Sequence, residues 1–339
     1  MGATIKDVAK LAGVSIKTVS NVLNGYRYVT PETRTKVEGA LTELDYRPNI
    51  SARNLRRGRT GIIALALPNM SSPYFAEIAH RIVKEAESRE LTVLIDCTGG
   101  DLEREKLVAE GFRSRLIDGM ILQPWSLSKR YLTDRPDDTP LVLLGERPVR
   151  SADNVAIDSR AAAFAAVSHL LELGRRRIGL LGARASGRGA RHPQEPSRRH
   201  EGYAKALESY DVPLDLRRIV HPEGDHTPEV VEEGVQRLLD QNNDLDAIFC
   251  FNDRIALGAI RALRVRGLTV PDDIAIASID DIEVARMSTP SITSVAPDKA
   301  GIARTAVEML TEQIGGTERA ARHVTADFEL IVRESSAGI

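Results

Sequence analysis

"GVSIKTVSNVLNG", residues 13–25, holds a glycine turn and then a short helix-compatible run. Val19, Val22 and Leu23 fall on one side of that run, and Ile16, Lys17, Ser20 and Asn21 on the other. Upstream, Thr4 precedes Ile5, Val8, Ala9 and Ala12, a helical stripe with Asp7 placed to reach back to the cap. Gly13 stops that helix, Ser15 can cap the next, and Asn24-Gly25 ends it. Thr30-Pro31-Glu32 opens a third helix whose buried stripe is Val37, Ala40, Leu41 and Leu44. Two short helices across a glycine turn, braced by a third, form a helix-turn-helix head.

Charge separates this head from the rest of the 339-residue chain. Residues 1–60 carry 11 Lys/Arg against 5 Asp/Glu, a net of +6, while the remainder carries 35 against 43, a net of −8. A basic head on an acidic body points to nucleic acid as a partner of the head alone. No carboxylate lies between Gly13 and Thr30 to repel phosphate. In this geometry the early residues of the second helix meet base edges in the major groove. Asn21 suits adenine, Lys17 the N7 and O6 of guanine, and Ile16 a thymine methyl, with Thr18 beside them on the DNA-facing side.

"TIKDVAKLAGVSIKTVSNVLNG", "VTPETRTKVEGALTELDYRPN" and "ARNL" resemble the N-terminal DNA-binding region of the lactose-repressor (LacI-type) family nearly without gaps. The resemblance places Ile16, Lys17 and Asn21 on the family's main base-reading positions. Asn21 departs from the larger basic side chain associated with that site, so no operator sequence transfers.

"YRPNISARNLRRGRT", residues 46–60, reads by itself as a basic linker too short to hold a helix in water. The resemblance implies a hinge helix that orders on the operator. Leu55 would then wedge into the minor groove, and Arg53, Arg56 and Arg57 would follow phosphates.

From Gly61 the pattern changes to apolar runs alternating with amphipathic stripes. The runs lie at 62–67, 92–97, 119–124, 141–146, 154–159, 177–183, 246–253 and 274–280. Near-continuous apolar strands between helices imply doubly wound parallel sheets, and the number of runs implies two α/β lobes. Ligands of such sheets bind beyond the carboxyl ends of the strands. Tyr74, Phe75, Trp125, Glu146, Asn252 and Asp280 all follow strand ends, a mixture that suits a polar small molecule such as a sugar. Each also has a plain structural use, since strand-end Asp and Asn cap helices and aromatics fill cores.

"PYFAEI", "RRHEGYAKAL", "FNDRIALGAIRAL", "ASIDDIEVARMSTPSITSV" and "LIVRESS" are similar to the same family's effector-binding core, itself related to periplasmic sugar-binding proteins. The resemblance assigns Tyr74 and Phe75 to the cleft wall, Arg199 to the ligand clamp, and Asn252 and Asp280 to polar effector contacts. His226 stands where the family often has a stacking aromatic, which makes Trp125 the substitute platform, with Glu146 as a further cleft hydrogen-bonder. It further implies a head at 1–46, a hinge at 47–60 and a body at 61–335. Lobe one would comprise about 61–158 and 291–322, and lobe two about 159–290 and 323–335. No tetramerising heptad follows "ESSAGI", so a homodimer on a palindromic operator is the expected assembly.

The chain has no phosphate-loop, nucleophile-elbow or zinc signature, so no enzyme activity and no cofactor is expected. His192 and His200 read as parts of a basic loop, and Cys97 and Cys250 as buried core thiols of a reducing compartment. The polar start and the lack of a long apolar run imply a cytoplasmic protein without a membrane partner, bound to the bacterial nucleoid through its operator. The leading reading is a transcriptional repressor controlled by a small carbohydrate-like effector. A solute-binding transport component, or an α/β enzyme with a DNA-binding head, would share parts of the pattern.

Overall fold

A computed structural model describes residues 3–23, 26–46, 59–111, 116–182, 197–222, 227–317 and 319–337. The chain divides into two compact units, Met1–Gly61 and Ile62–Ile339.

The smaller unit holds α1 (Ile5–Ala12), α2 (Ile16–Leu23) and α3 (Pro31–Glu43). Its core is Val8, Val19 and Val37, all fully buried, with Ala9, Val22 and Ala40 around them. The ends of the helices follow local chemistry. Asp7 accepts the Thr4 amide at 2.8 Å, Ser15 Oγ accepts the Thr18 amide at 3.1 Å, and Thr30 Oγ1 accepts that of Thr33 at 3.3 Å. Gly13, at φ +65°, closes α1 in a conformation that a side chain would strain.

The larger unit contains two six-stranded sheets among the described residues. The first comprises β1 (Ile62–Leu67), β2 (Thr92–Cys97), β3 (Gly119–Leu122), β4 (Leu141–Leu144), β5 (Asp153–Ile157) and β11 (His323–Ala326), in the order β11-β5-β4-β3-β1-β2. Every pairing in it is parallel. The second comprises β6 (Ile178–Leu181), β7 (Ile219–Val220), β8 (Ala247–Cys250), β9 (Ala275–Ile279), β10 (Thr293–Pro297) and β12 (Phe328–Ile331), in the order β12-β10-β9-β8-β6-β7. Only the β10–β12 pair in it is antiparallel. Around the first sheet run α4 (Pro73–Glu87), α5 (Leu102–Ala109) and α6 (Lys129–Thr133). Around the second run α7 (Ser159–Glu172), α8 (Arg198–Ser209), α9 (Pro228–Gln241), α10 (Asp253–Val265) and α11 (Glu283–Met287). The chain ends with α12 (Lys299–Ile314) and α13 (Glu334–Ala337). Each lobe has its own apolar core, and Tyr74 and Ile157 pack against both.

Two late segments differ from expectation. Residues 291–322 do not return whole to the first lobe, because β10 stays beside β9 in the second sheet. Its buried Ser294 hydroxyl donates to Asp253 at 2.6 Å, and the Thr293 amide donates to Ser335 at 2.8 Å, which fixes the strand there. The chain crosses only where α12 begins, and α12 packs on α4. Residues 323–335 do not serve the second lobe alone, because β11 pairs with β5 in the first sheet. The reason is Asp153, whose buried carboxylate accepts both Arg319 Nη atoms (2.8 and 2.6 Å) and the Arg322 amide (2.6 Å), tying the approach to β11 onto β5.

Cys97 is a further correction, since it is exposed while Cys250 is buried. It ends β2, the edge strand, where alternation turns Asp96 inward to meet Arg104 at 2.9 Å and Cys97 outward.

Candidate functional site

In the smaller unit, α2 presents Ile16 and Lys17 to solvent, and Thr18, Ser20 and Asn21 are half-buried on its flank. The Thr18 hydroxyl lies 2.8 Å from that of Ser15, so it also serves the helix start. Beyond α2, Tyr26 and Tyr28 are exposed with ring centroids 5.5 Å apart, and Arg27 sits 5.0 Å over the Tyr28 ring. Arg53 and Leu55 lie outside the described residues, as do Arg56, Arg57 and the Asn24-Gly25 pair.

In the larger unit the strand-end side chains converge between the lobes. Arg199 stands in the first turn of α8, where Ser197 caps the helix through the His200 amide. One Arg199 guanidinium nitrogen donates to the Phe251 carbonyl, and the other lies 3.7 Å from Asp280 Oδ1. Asp280 follows β9 at φ +121°, and Asp281 after it sits at φ +45°. Two consecutive aspartates in this strained region mark a backbone held by its surroundings. Burial pushes the Asp280 carboxyl up to about 7. The Arg199 and Lys299 charges oppose that rise, while Asp253 and Glu77 add to it.

The first lobe supplies the facing wall. Burial raises the Tyr74 phenol well above its ordinary value, and Asp280, Arg199, Glu146 and Glu77 all act on it electrostatically. Glu146, after β4, is likewise raised by burial and held back by Arg199 and Arg198. Tyr74 meets Phe75 edge-on at 5.5 Å, and Phe75 meets Trp125 edge-on at 5.9 Å. Tyr74, Phe75, Trp125, Glu146, Arg199 and Asp280 therefore form one connected set from both lobes. Asn252 also serves the fold, since its Oδ1 accepts the Ile255 amide at 2.9 Å and caps α10. His226 and His192 lie outside the described residues. His200 is on α8 rather than in a loop, stacked 6.0 Å from His221.

Three buried residues support this cleft; Asp253 follows a strand end like the site residues above, while Glu105 and Lys299 give no signal in the sequence. Glu105, fully buried in α5, accepts the amides of Trp125 (2.8 Å), Ser126 and Leu127 (both 2.9 Å) and so holds the Trp125 loop. Asp253, also fully buried, accepts the hydroxyls of Ser278 and Ser294 and the Ile282 amide, bracing the turn that carries Asp280. Lys299 is buried between Glu77 and the Asp281 carbonyl. No spacing rule links these partners; a buried Glu in a polar helix gives no local signal. Among the described residues no helix is long and apolar enough to cross a membrane.

Known proteins match both units of the chain. Residues 4–49 match the family described as bacterial regulatory proteins, lacI family, and residues 167–336 match the periplasmic binding protein-like domain. The HTH-type transcriptional repressor PurR of Haemophilus influenzae is 33% identical over 347 residues, covering 99% of each chain. A solved complex of the transcriptional regulator CelR with cellobiose is 28% identical, covering 98% of this chain and 99% of that one, with a TM-score of 0.70. The lac repressor dimer bound to operator and the anti-inducer ONPF is 25% identical, covering 99% of both chains, with a TM-score of 0.81. These relatives are regulators, not enzymes. With a helix-turn-helix head, two parallel-sheet lobes and relatives matched along its whole length, the chain belongs to the lacI family of bacterial regulatory proteins and is a DNA-binding transcriptional repressor of that type.

Proposed function

We propose that this repressor is switched by a small carbohydrate or carbohydrate derivative held between the lobes by Arg199 and Asp280. The observation that carries the reading is the Arg199–Asp280 pair at 3.7 Å, faced by the Tyr74–Phe75–Trp125 wall. A fixed cationic donor beside a carboxylate suits adjacent hydroxyls, and an aromatic wall suits the apolar face of a sugar ring. Glu146 adds a second acceptor from the first lobe; Asn252 and His226 are assigned to the same ligand. The sugar-complexed relative supports the chemical class, and a nucleobase is the competing ligand.

The switch needs a ligand that binds one lobe arrangement better than the other, because only differential affinity moves an equilibrium. In the head, Ile16, Lys17, Thr18 and Asn21 face the major groove, and residues 47–60 act as the hinge, with Leu55 in the minor groove and Arg53 on phosphate. The acting species is a cytoplasmic homodimer on a palindromic operator. A thermal-shift screen of sugars, sugar phosphates and nucleobases tests the effector class, because a ligand of the folded state raises the melting temperature. A sugar that stabilises the wild type and not Arg199→Ala supports the reading, provided Arg199→Ala still binds operator. Stabilisation by hypoxanthine or guanine and by no sugar overturns it.

A further inference from the structure

We propose that the cleft continues into a second sugar subsite on Trp125, so that the effector is an oligosaccharide rather than a monosaccharide. The inference rests on the carbohydrate reading above and extends it. A half-open hollow of about 430 Å³ lies at the carboxyl ends of β1 and β2, lined by Pro68, Asn69, Ser71, Cys97, Gly99 and Trp125 among others. That volume falls within the range of small-molecule sites. Its apolar surface comes from Pro68, Met70 and the indole of Trp125, which is 44% exposed.

This indole is held as a platform. Glu105 accepts the backbone amides of Trp125, Ser126 and Leu127 from a fully buried position. The Ser126 hydroxyl donates to the Gly100 carbonyl at 2.5 Å. Gly100, at φ +65°, backs the ring so closely that a Cβ there would stand 2.9 Å from Trp125 Cε3. Phe75 closes another side at 5.9 Å. An indole that is exposed and whose loop is fixed by a buried carboxylate is positioned for contact. Around it stand the polar groups that a sugar's hydroxyls require. The Asn69 carboxamide is oriented by accepting the Ser71 amide at 2.7 Å, and Ser71 itself lines the hollow. Phe75 touches both Trp125 and Tyr74, so the hollow and the Arg199–Asp280 pair share one aromatic wall. A first ring in the cleft would place a glycosidically linked second ring against Trp125.

The chain carries its own reporters of that hollow. Trp125 is the single tryptophan of the sequence. Of the two cysteines, Cys97 is exposed in the hollow while Cys250 is buried in the second lobe. The experiment titrates the full-length protein with matched pairs (glucose and cellobiose, xylose and xylobiose, galactose and lactose). It follows melting temperature, Trp125 emission and the rate of Cys97 alkylation by iodoacetamide. The disaccharide of one pair should bind at least about tenfold more tightly than its monosaccharide, the gain expected from covering roughly half of the exposed indole. It alone should slow Cys97 alkylation, and it should change Trp125 emission more than its monosaccharide does. Trp125→Ala should weaken the disaccharide at least about tenfold more than it weakens the monosaccharide, which removes the advantage of the second ring. The subsite is overturned if a binding disaccharide leaves Cys97 reactivity and Trp125 emission unaltered, if Trp125→Ala weakens both sugars equally, or if Cys97 fails to react in the free protein. If no sugar raises the melting temperature, the carbohydrate reading of the cleft fails and the subsite falls with it.

Discussion

Lys299 and Glu77 offer the sharpest test of how the lobes are held. Lys299 opens α12 with its ammonium almost wholly buried, donating to Glu77 Oε2 and, at 2.9 Å, to the Asp281 carbonyl. Glu77, on α4, uses its other oxygen to accept the Glu283 amide at 2.8 Å. First-lobe helices therefore grip two second-lobe backbone groups, one of them next to the strained Asp280. Breaking a buried ion pair by removing one partner costs about 3–5 kcal/mol, because the remaining charge is stranded. Glu77 keeps 24% of its side chain in solvent, so hydration offsets part of that, and Glu77→Ala should cost roughly 2–3 kcal/mol. Lys299→Met leaves the more exposed partner behind and should cost less, about 1–2 kcal/mol. The two losses overlap. In urea unfolding of the body, the double variant should be more stable than the sum of the singles implies, by about 1.5 kcal/mol or more. Additivity within about 0.5 kcal/mol would refute a direct Glu77–Lys299 coupling. Both variants should also change effector affinity without touching effector, since they release contacts between the lobes.

Three further outcomes follow from the same geometry. Glu105→Ala strands three amides and should lower body stability by roughly 3–5 kcal/mol, with Glu105→Gln near half of that; a urea midpoint for Glu105→Ala within about 1 kcal/mol of wild type would remove its supporting role. Asp280 titrates near 7 when folded, above the ~3.9 of an unfolded aspartate, so the folded state holds the extra proton between those values and ionisation opposes folding. The destabilisation is absent below pH ~4 and complete above ~7. The melting temperature of Asp280→Asn relative to wild type should therefore climb across that window and level off above it, and a pH-independent gap would contradict this. In operator binding, Asn21→Ala should cost about 1–3 kcal/mol and relax preference at one base pair. Lys17→Ala should weaken binding too, reducing the salt slope by about 0.9 if it contacts phosphate and leaving it unchanged if it reads a base. Unaltered affinity and base preference in both variants would remove α2 from the groove.

What could be read from the sequence was whatever had a local cause. The head follows from Thr4–Asp7 capping, the Gly13 stop and one apolar stripe per helix, each set within a few residues of itself. The apolar runs announced their strands because parallel sheets covered on both faces need no polar alternation. β11 and β10 were misplaced because neither has such a run. HVTA is half-buried at an edge, and its place depends on Asp153 meeting Arg319 and Arg322 some 166–169 residues away. Glu105 and Lys299 were invisible for the same reason, since their partners arrive through topology.

Asn252 carries the lesson in the opposite direction. It stands where a strand gives way to a helix, and there a doubly wound fold needs a side-chain oxygen to satisfy the first free amides of the helix. Its Oδ1 meets that need at 2.9 Å before any ligand is considered. A strand-end Asn thus has a use in the fold whether or not it also meets a ligand. Arg199 and Asp280 are not explained so cheaply, because a cation is paired at 3.7 Å with a carboxylate whose burial opposes its charge and whose backbone is strained. The residues that cost the fold stability without repaying it in packing are the ones on which an effector has the strongest claim.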